Sequence, residues 1–175
     1  RSGDDYIAAG IDCAIQVGEV TDPSLVVIRL SEVPRIVVAA PELPGAADGA
    51  PDAAGLAGLP WLALRTFYRN EVRLTHQETG EMARIAITPV LSTDSLYALR
   101  SAALLGLGVC VGSAWVLADD IASGRLLRLA PHWQAAPLPV SLVYPYARFY
   151  PARLRQFVEV MRAAMPEVIG GEPSD

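Results

Sequence analysis

The sequence contains no lysine: all 14 basic residues are arginine, set against 19 acidic ones, and the formal net charge is −5. An acidic chain with scattered arginines is a poor nucleic-acid binder by itself, because affinity for a phosphate backbone comes from clustered cations. The nearest thing to a cluster is Arg65, Arg69 and Arg73, in a strand-like segment that reads as a solvated face. Cysteine and histidine are scarce, two of each. Cys13 and Cys110 lie in separate apolar runs without C-x-x-C spacing, and neither His76 nor His132 has a Cys or a carboxylate pair at ligand spacing. That pattern points to reduced, buried thiols in a reducing compartment and away from zinc; no metal and no cofactor are expected. A long apolar run is also missing. The uncharged, strongly apolar stretch "LLGLGVCVGSAWVLA" falls short of the ~20 residues of a membrane helix and is interrupted by glycines. The opening "RSGDDYIAAG" has no apolar core of a secretion signal.

Catalytic signatures are lacking too. No serine stands in G-x-S-x-G, and "VGSAW" lacks the second glycine. "GLGVCVG" has the wrong order for a dinucleotide loop, since its glycines end a helix and precede a strand. Asp119 and Asp120 have no accompanying nucleophile or base and read as solvated helix residues. Trp115 reads as core rather than as a stacking platform. No enzyme is expected.

What is present is a chain of 175 residues, 52% hydrophobic and 19% charged, enough to bury a real core in one domain or two small lobes. The pattern predicts the tail of a helix at 4–9 and a strand "CAIQV" ending at Gly18. "LVVIRL" and "RIVVAA" read as a hairpin around "SEVP". A Pro-, Gly- and Ala-rich section, 41–60, holds one helical turn at 52–56, followed by the strand "WLALR". Alternation over 71–74 and 82–87 predicts a hairpin turning near 78–80. Leu96, Leu99, Ala103 and Leu107 recur at helical spacing, so a helix is predicted over 95–105, ended by Gly106 or Gly108. Then follow the strand "VCV", a helix "VLADDIASG" stopped at Gly124, and a second hairpin of "RLLRLA" and "VSLVYP". An amphipathic helix from Pro151 closes the chain, and 171–175 read as a disordered tail. Strands alternating with helices imply an α/β fold with parallel pairing, and strands passing between lobes would make two crossovers.

In that order, three stretches resemble the effector-binding domain of LysR-type transcriptional regulators. They are "AAGIDCAIQVGEVTDPSLVVIRLSEVPRIVVAAPEL", "YALRSAALLGLGVCVGSAWVLADDIASGRLLRLAP" and "PLPVSLVYPYARFYPARLRQFVEVM". The likeness covers about residues 5–165. Three departures bear on ligand chemistry: Gln16 stands where the family usually has Arg, Ala40 replaces the hinge Ser, and Gly112–Ser113 stands in place of the Pro before the Trp. The resemblance implies a two-lobed, periplasmic-binding-protein-like fold of type 2 with two crossover strands. Residues 1–40 and 145–170 would form lobe I, incomplete at its N-terminus, and 41–144 lobe II. It implies a cytoplasmic sensor, a homodimer or homotetramer, that takes a small organic acid or amino acid between its lobes. DNA would be contacted only through a helix-turn-helix part outside this sequence, and no membrane is involved. A transport-type solute-binding protein of the same fold is the alternative.

The expected ligand-binding residues follow from strand ends and helix starts, where such sheets hold small molecules. Thr93, Asp94 and Ser95 are good helix caps, and a helix start also attracts anions. Asp94 either caps the helix or meets an ammonium or hydroxyl, since its charge would repel a carboxylate. Ser113 ends the next strand and reads as a cleft contact or a turn residue. Arg65 and Thr66 end "WLAL"; Arg65 could grip a carboxylate or lie on the surface. The resemblance adds Gly18 and Glu19, where Gly18 serves a tight turn, and Ala40 and Tyr144 at the crossovers, where Ala40 either admits a ligand or packs a hinge.

Overall fold

A computed structural model describes residues 13–48, 52–146 and 152–169. The chain forms β1 (Ala14–Val17), β2 (Leu25–Ala39), a 3-10 turn (Ala54–Leu56), β3 (Trp61–Leu64), β4 (Glu71–His76), β5 (Met82–Ala86) and β6 (Pro89–Thr93). There follow α1 (Leu96–Leu104), β7 (Cys110–Ser113), α2 (Ala114–Ala122), β8 (Leu127–Leu129), β9 (Trp133–Pro145) and α3 (Ala152–Ile169). Two compact units result: residues 1–33 with 138–175, and 34–137. Only β2 and β9 run across those divisions, which fall inside the strands rather than at 40 and 145. The helix expected over 4–9 and the tail 171–175 lie outside the described residues.

Both hairpins expected around these boundaries are corrected. "LVVIRLSEVPRIVVA" is one strand of 15 residues, and "WQAAPLPVSLVYP" is one of 13. The expected turn "SEVP" contains Pro34, and the span between "RLLRLA" and "VSLVYP" contains Pro137 and Pro139. Proline's fixed φ also suits an extended chain wherever its missing N–H is not needed by the ladder. No residue between Leu30 and Arg35 has positive φ, and Ser31 and Val33 are fully buried, unlike a turn tip. β8 pairs not with β9 but with β2, placing Val37 opposite Leu129.

In the first unit, β1 lies antiparallel to β9, with Ala14 opposite Val143 and Val17 opposite Val140. Leu30, Val33, Val140, Leu142 and Val158 form its main core, with Ile15 and Met161 packed against it. Val158 and Met161 recur at helical spacing on α3, which explains why that helix folds onto the sheet.

The second unit is built on β3 and β6, which are parallel, and on β7, which joins β3 through a parallel bridge between Trp61 and Val109. The strand β6 was missed in the sequence because "PVLST" is short, starts with proline and is largely exposed. Helix α1 packs on all three strands through Leu99, Ala102 and Ala103. Gly106, with φ of 75°, closes α1, whereas Gly108 serves close approach. A Cβ on Gly108 would meet the Pro60 carbonyl oxygen at 2.9 Å, where Val109 N–H bonds that oxygen at 2.8 Å. The hairpin β4–β5 turns where expected, with Gly80 at φ 73°.

Two side-chain expectations on α2 are reversed. Its inward stripe is Leu117 and Asp120, so Trp115 falls off it and is 41% exposed. Asp120 is fully buried rather than solvated: Arg100 on α1 grips both its oxygens at 2.5 and 2.8 Å, and Arg125 reaches one at 2.9 Å. Neither cysteine forms a disulfide; burial pushes the Cys110 thiol up to about 12, which makes it inert.

Candidate functional site

The carboxyl ends of β3, β6 and β7 lie together in the second unit. Parallel register sets Leu64 beside Thr93, and Arg65 N–H donates to the Thr93 carbonyl at 2.9 Å. The residues that leave these strands, Arg65–Thr66 and Asp94–Ser95, are therefore neighbours. β7 ends at Ser113, and antiparallel β2 places Arg35 opposite Ser113. Strand ends followed by helix starts form the crevice that open α/β sheets use for ligands.

The three residues at the start of α1 divide the work. Ser95 is the cap, its hydroxyl accepting from Ala98 N–H at 3.3 Å. Thr93 steadies it, its hydroxyl accepting from Ser95 N–H at 3.1 Å. Asp94 does neither: its two oxygens accept from Arg65 Nε and Nη2 at 3.1 and 2.6 Å. Both side chains are half exposed or more, so the pair adds little stability. Its effect is on charge, because the carboxylate that would repel an anion is matched by a guanidinium. Ser113 is 5% exposed, and its hydroxyl is the one buried side-chain polar atom without a hydrogen bond among the described residues. It stands at the N-cap of α2 but makes no side-chain cap.

A pocket of about 730 Å³ opens beside these ends, wholly within the second unit. Arg35, Arg65, Thr66, Phe67 and Arg69 line it, backed by Tyr68 and Val111. The Arg35 guanidinium lies over the Phe67 ring, 5.2 Å from its centroid, and burial lowers its pKa. The Tyr68 hydroxyl donates to the Leu62 carbonyl at 2.8 Å and accepts from Val111 N–H at 3.0 Å. It thereby ties β3 to β7, and burial raises its pKa so that it stays neutral. Tyr68→Phe would strand a buried carbonyl and a buried amide. We expect a loss of about 2 kcal/mol in urea unfolding; a loss below about 0.5 kcal/mol would show that the tie carries no weight.

Of the residues expected at a ligand site, Arg65, Thr66, Thr93, Asp94, Ser95 and Ser113 meet at these strand ends. Ala40 is fully buried in the same unit's core, its carbonyl accepting from Leu43 N–H. Gly18, Glu19 and Tyr144 belong to the first unit. Gly18 turns with φ of 102° and donates to the Pro139 carbonyl, Glu19 is exposed, and Tyr144 packs on that unit's core. Arg35, Phe67 and Tyr68 escaped the sequence reading. The run "TFYR" was a signal for them, but nothing local brings Arg35 to it. Among the described residues no cluster of His, Cys, Asp and Glu could hold a metal, and no helix is long and apolar enough to cross a membrane.

Comparison with known proteins agrees with this architecture. The chain is 30% identical over 172 residues to the HTH-type transcriptional regulator PtxR of Pseudomonas aeruginosa, covering 97% of this chain and 53% of that protein. It is 30% identical over 165 residues to the HTH-type transcriptional regulator DmlR of Escherichia coli, covering 93% and 53%. The chain thus spans about half the length of the curated relatives it matches. Among solved structures, the regulatory domain of CrgA, a LysR-type regulator from Neisseria meningitidis, superposes with a TM-score of 0.69 at 27% identity, over 90% of this chain and 76% of that one. The effector domain of AmpR from Pseudomonas aeruginosa shares the fold, with a TM-score of 0.72 at 23% identity, over 95% and 78%. The family model for the LysR substrate binding domain matches residues 5–166, and the chain belongs to that family.

Proposed function

We propose that this chain is the effector-sensing part of a cytoplasmic, homo-oligomeric LysR-type regulator, and that its effector, a small organic acid or amino acid, binds at the strand ends of the second unit. The observation that carries the site is the buried, unpartnered hydroxyl of Ser113, which stands across the β2–β7 ladder from the pocket-lining Arg35. A buried hydroxyl without a partner costs free energy unless a ligand group meets it. The Arg65–Asp94 pair supports an acidic ligand, since Asp94 no longer opposes a carboxylate. Effector binding would shift the populations of the sensor's conformations. The DNA contact would belong to the helix-turn-helix part for which the relatives are named.

The test is a thermal-shift screen of organic acids and amino acids on the purified chain. A true effector at 100 times its Kd adds about 2.7 kcal/mol of stability. Ser113→Ala should weaken the effector found by about tenfold, the worth of one hydrogen bond. Unchanged affinity in Ser113→Ala would move the site elsewhere.

A further inference from the structure

Four arginines line the pocket of the second unit, Arg35, Arg65, Arg69 and Arg73, on a chain whose net charge is −5. Two of them are matched within the protein. Arg65 holds Asp94, and Arg73 Nε donates to Glu71 at 2.7 Å. The Arg73 hydrogen bond is also the main cause that holds the Glu71 carboxyl below its usual range, so that pair is charged and satisfied. Arg35 and Arg69 have no carboxylate partner among the described residues.

These two arginines are held in the same way. Arg35 Nε donates to the Ala136 carbonyl at 2.7 Å, and Arg69 Nε donates to the Arg65 carbonyl at 3.3 Å. Each guanidinium is thus anchored by its inner nitrogen, and its two terminal nitrogens remain as an end-on fork. Such a fork matches the two oxygens of one carboxylate. Phe67 covers one face of Arg35 and further limits its motion. A pocket of about 730 Å³ is of the size that encloses small ligands.

We propose that this pocket takes a small organic dianion, a dicarboxylate, with Arg35 and Arg69 each receiving one acid group end-on. The inference rests on reading the strand ends of the second unit as the effector site, and it narrows the ligand class from any organic acid to a doubly charged one. Asp94 then acts as a limiter, because it withholds Arg65 from the ligand.

Isothermal titration of the chain at fixed ionic strength tests this, with succinate and glutarate as probes, butyrate as the singly charged control and succinamide as the neutral one. At least one dicarboxylate should bind about tenfold or more tighter than butyrate, and succinamide should not bind. Arg35→Ala and Arg69→Ala should each cut dicarboxylate affinity about tenfold, toward the butyrate level. Arg35→Lys, which keeps the charge and loses the fork, should fall between wild type and Arg35→Ala. Asp94→Asn should raise the affinity by releasing Arg65. Circular dichroism confirms that each variant is folded. Equal affinity for butyrate and the dicarboxylates, or no dicarboxylate binding at millimolar concentration, overturns the proposal. If a screened effector loses affinity in Ser113→Ala but not in Arg35→Ala or Arg69→Ala, the effector site stands and the dianion assignment falls. If none of the three variants changes its affinity, both fall.

Discussion

Replacing Trp61 by alanine should cost about 4 kcal/mol of stability, the largest loss expected from any single substitution in this chain. Trp61 is 1% exposed and is the largest fully buried side chain. It opens β3, lies beside Pro89 of β6, and bridges in parallel to Val109 at the approach to β7. Its indole N–H donates to the Leu56 carbonyl at 3.0 Å, so it also holds the 3-10 turn against the sheet. Alanine removes the packing of three strands at once and takes away the indole donor, leaving the Leu56 carbonyl only its longer bond from Leu59 N–H at 3.3 Å. Trp61→Phe separates the two terms: it keeps most of the ring contact and loses the hydrogen bond, for a cost of about 2 kcal/mol. Urea unfolding followed by far-UV circular dichroism reads both. A Trp61→Ala loss under about 1 kcal/mol would mean that the sheet of the second unit is not organised around this residue.

Asp120→Ala should come next, at about 3 kcal/mol near neutral pH. Its carboxylate is fully buried, while Arg100 and Arg125 are partly exposed. Removing Asp120 therefore leaves two guanidiniums that can still reach water, which keeps the cost at the low end for a broken buried pair. The pair also ties α1 to α2, so the loss is structural as well as electrostatic. The hydrogen bond from Arg100 lowers the Asp120 pKa below its ordinary value. A carboxyl whose folded pKa is depressed contributes fully above the unfolded pKa of about 3.9 and loses that contribution as pH falls through the folded one. The gap in stability between wild type and Asp120→Ala should therefore be constant from neutral pH down to about 4 and shrink in stronger acid. A gap that persists unchanged in strong acid would show that the carboxylate's charge is not what matters.

Much of the fold was legible locally. Period-2 alternation gave β4 and β5, helical spacing gave α1, and the glycines that need positive φ, Gly80, Gly106 and Gly124, marked their ends. The cap at Ser95 was legible for the same reason, because capping is decided within three or four residues. Long-range pairing was not. "SEVP" reads as a turn because proline signals both a turn and an edge-compatible extended chain, and only the partner strand distinguishes them. β6 is defined by its pairing with β3, whose partner residues lie 28 to 29 positions earlier in sequence, and by nothing in "PVLST" itself.

By itself, then, the sequence determined the class of fold, the family resemblance, most element boundaries and the strand ends at which a ligand site should be sought. These depend on periodicity, caps and turns, which act over a few residues. The tertiary structure alone decided what each charge does. Asp94 and Arg65 are 29 residues apart and neutralise one another; Arg100 and Asp120 are 20 apart and form a buried clasp. Arg35 and Ala136 are 101 apart, and their hydrogen bond aims one of the two guanidinium forks that remain for a ligand. A charged side chain reads the same in sequence whether it is solvated, paired or held for a ligand. Its role is set by which partner and how much water the fold brings to it.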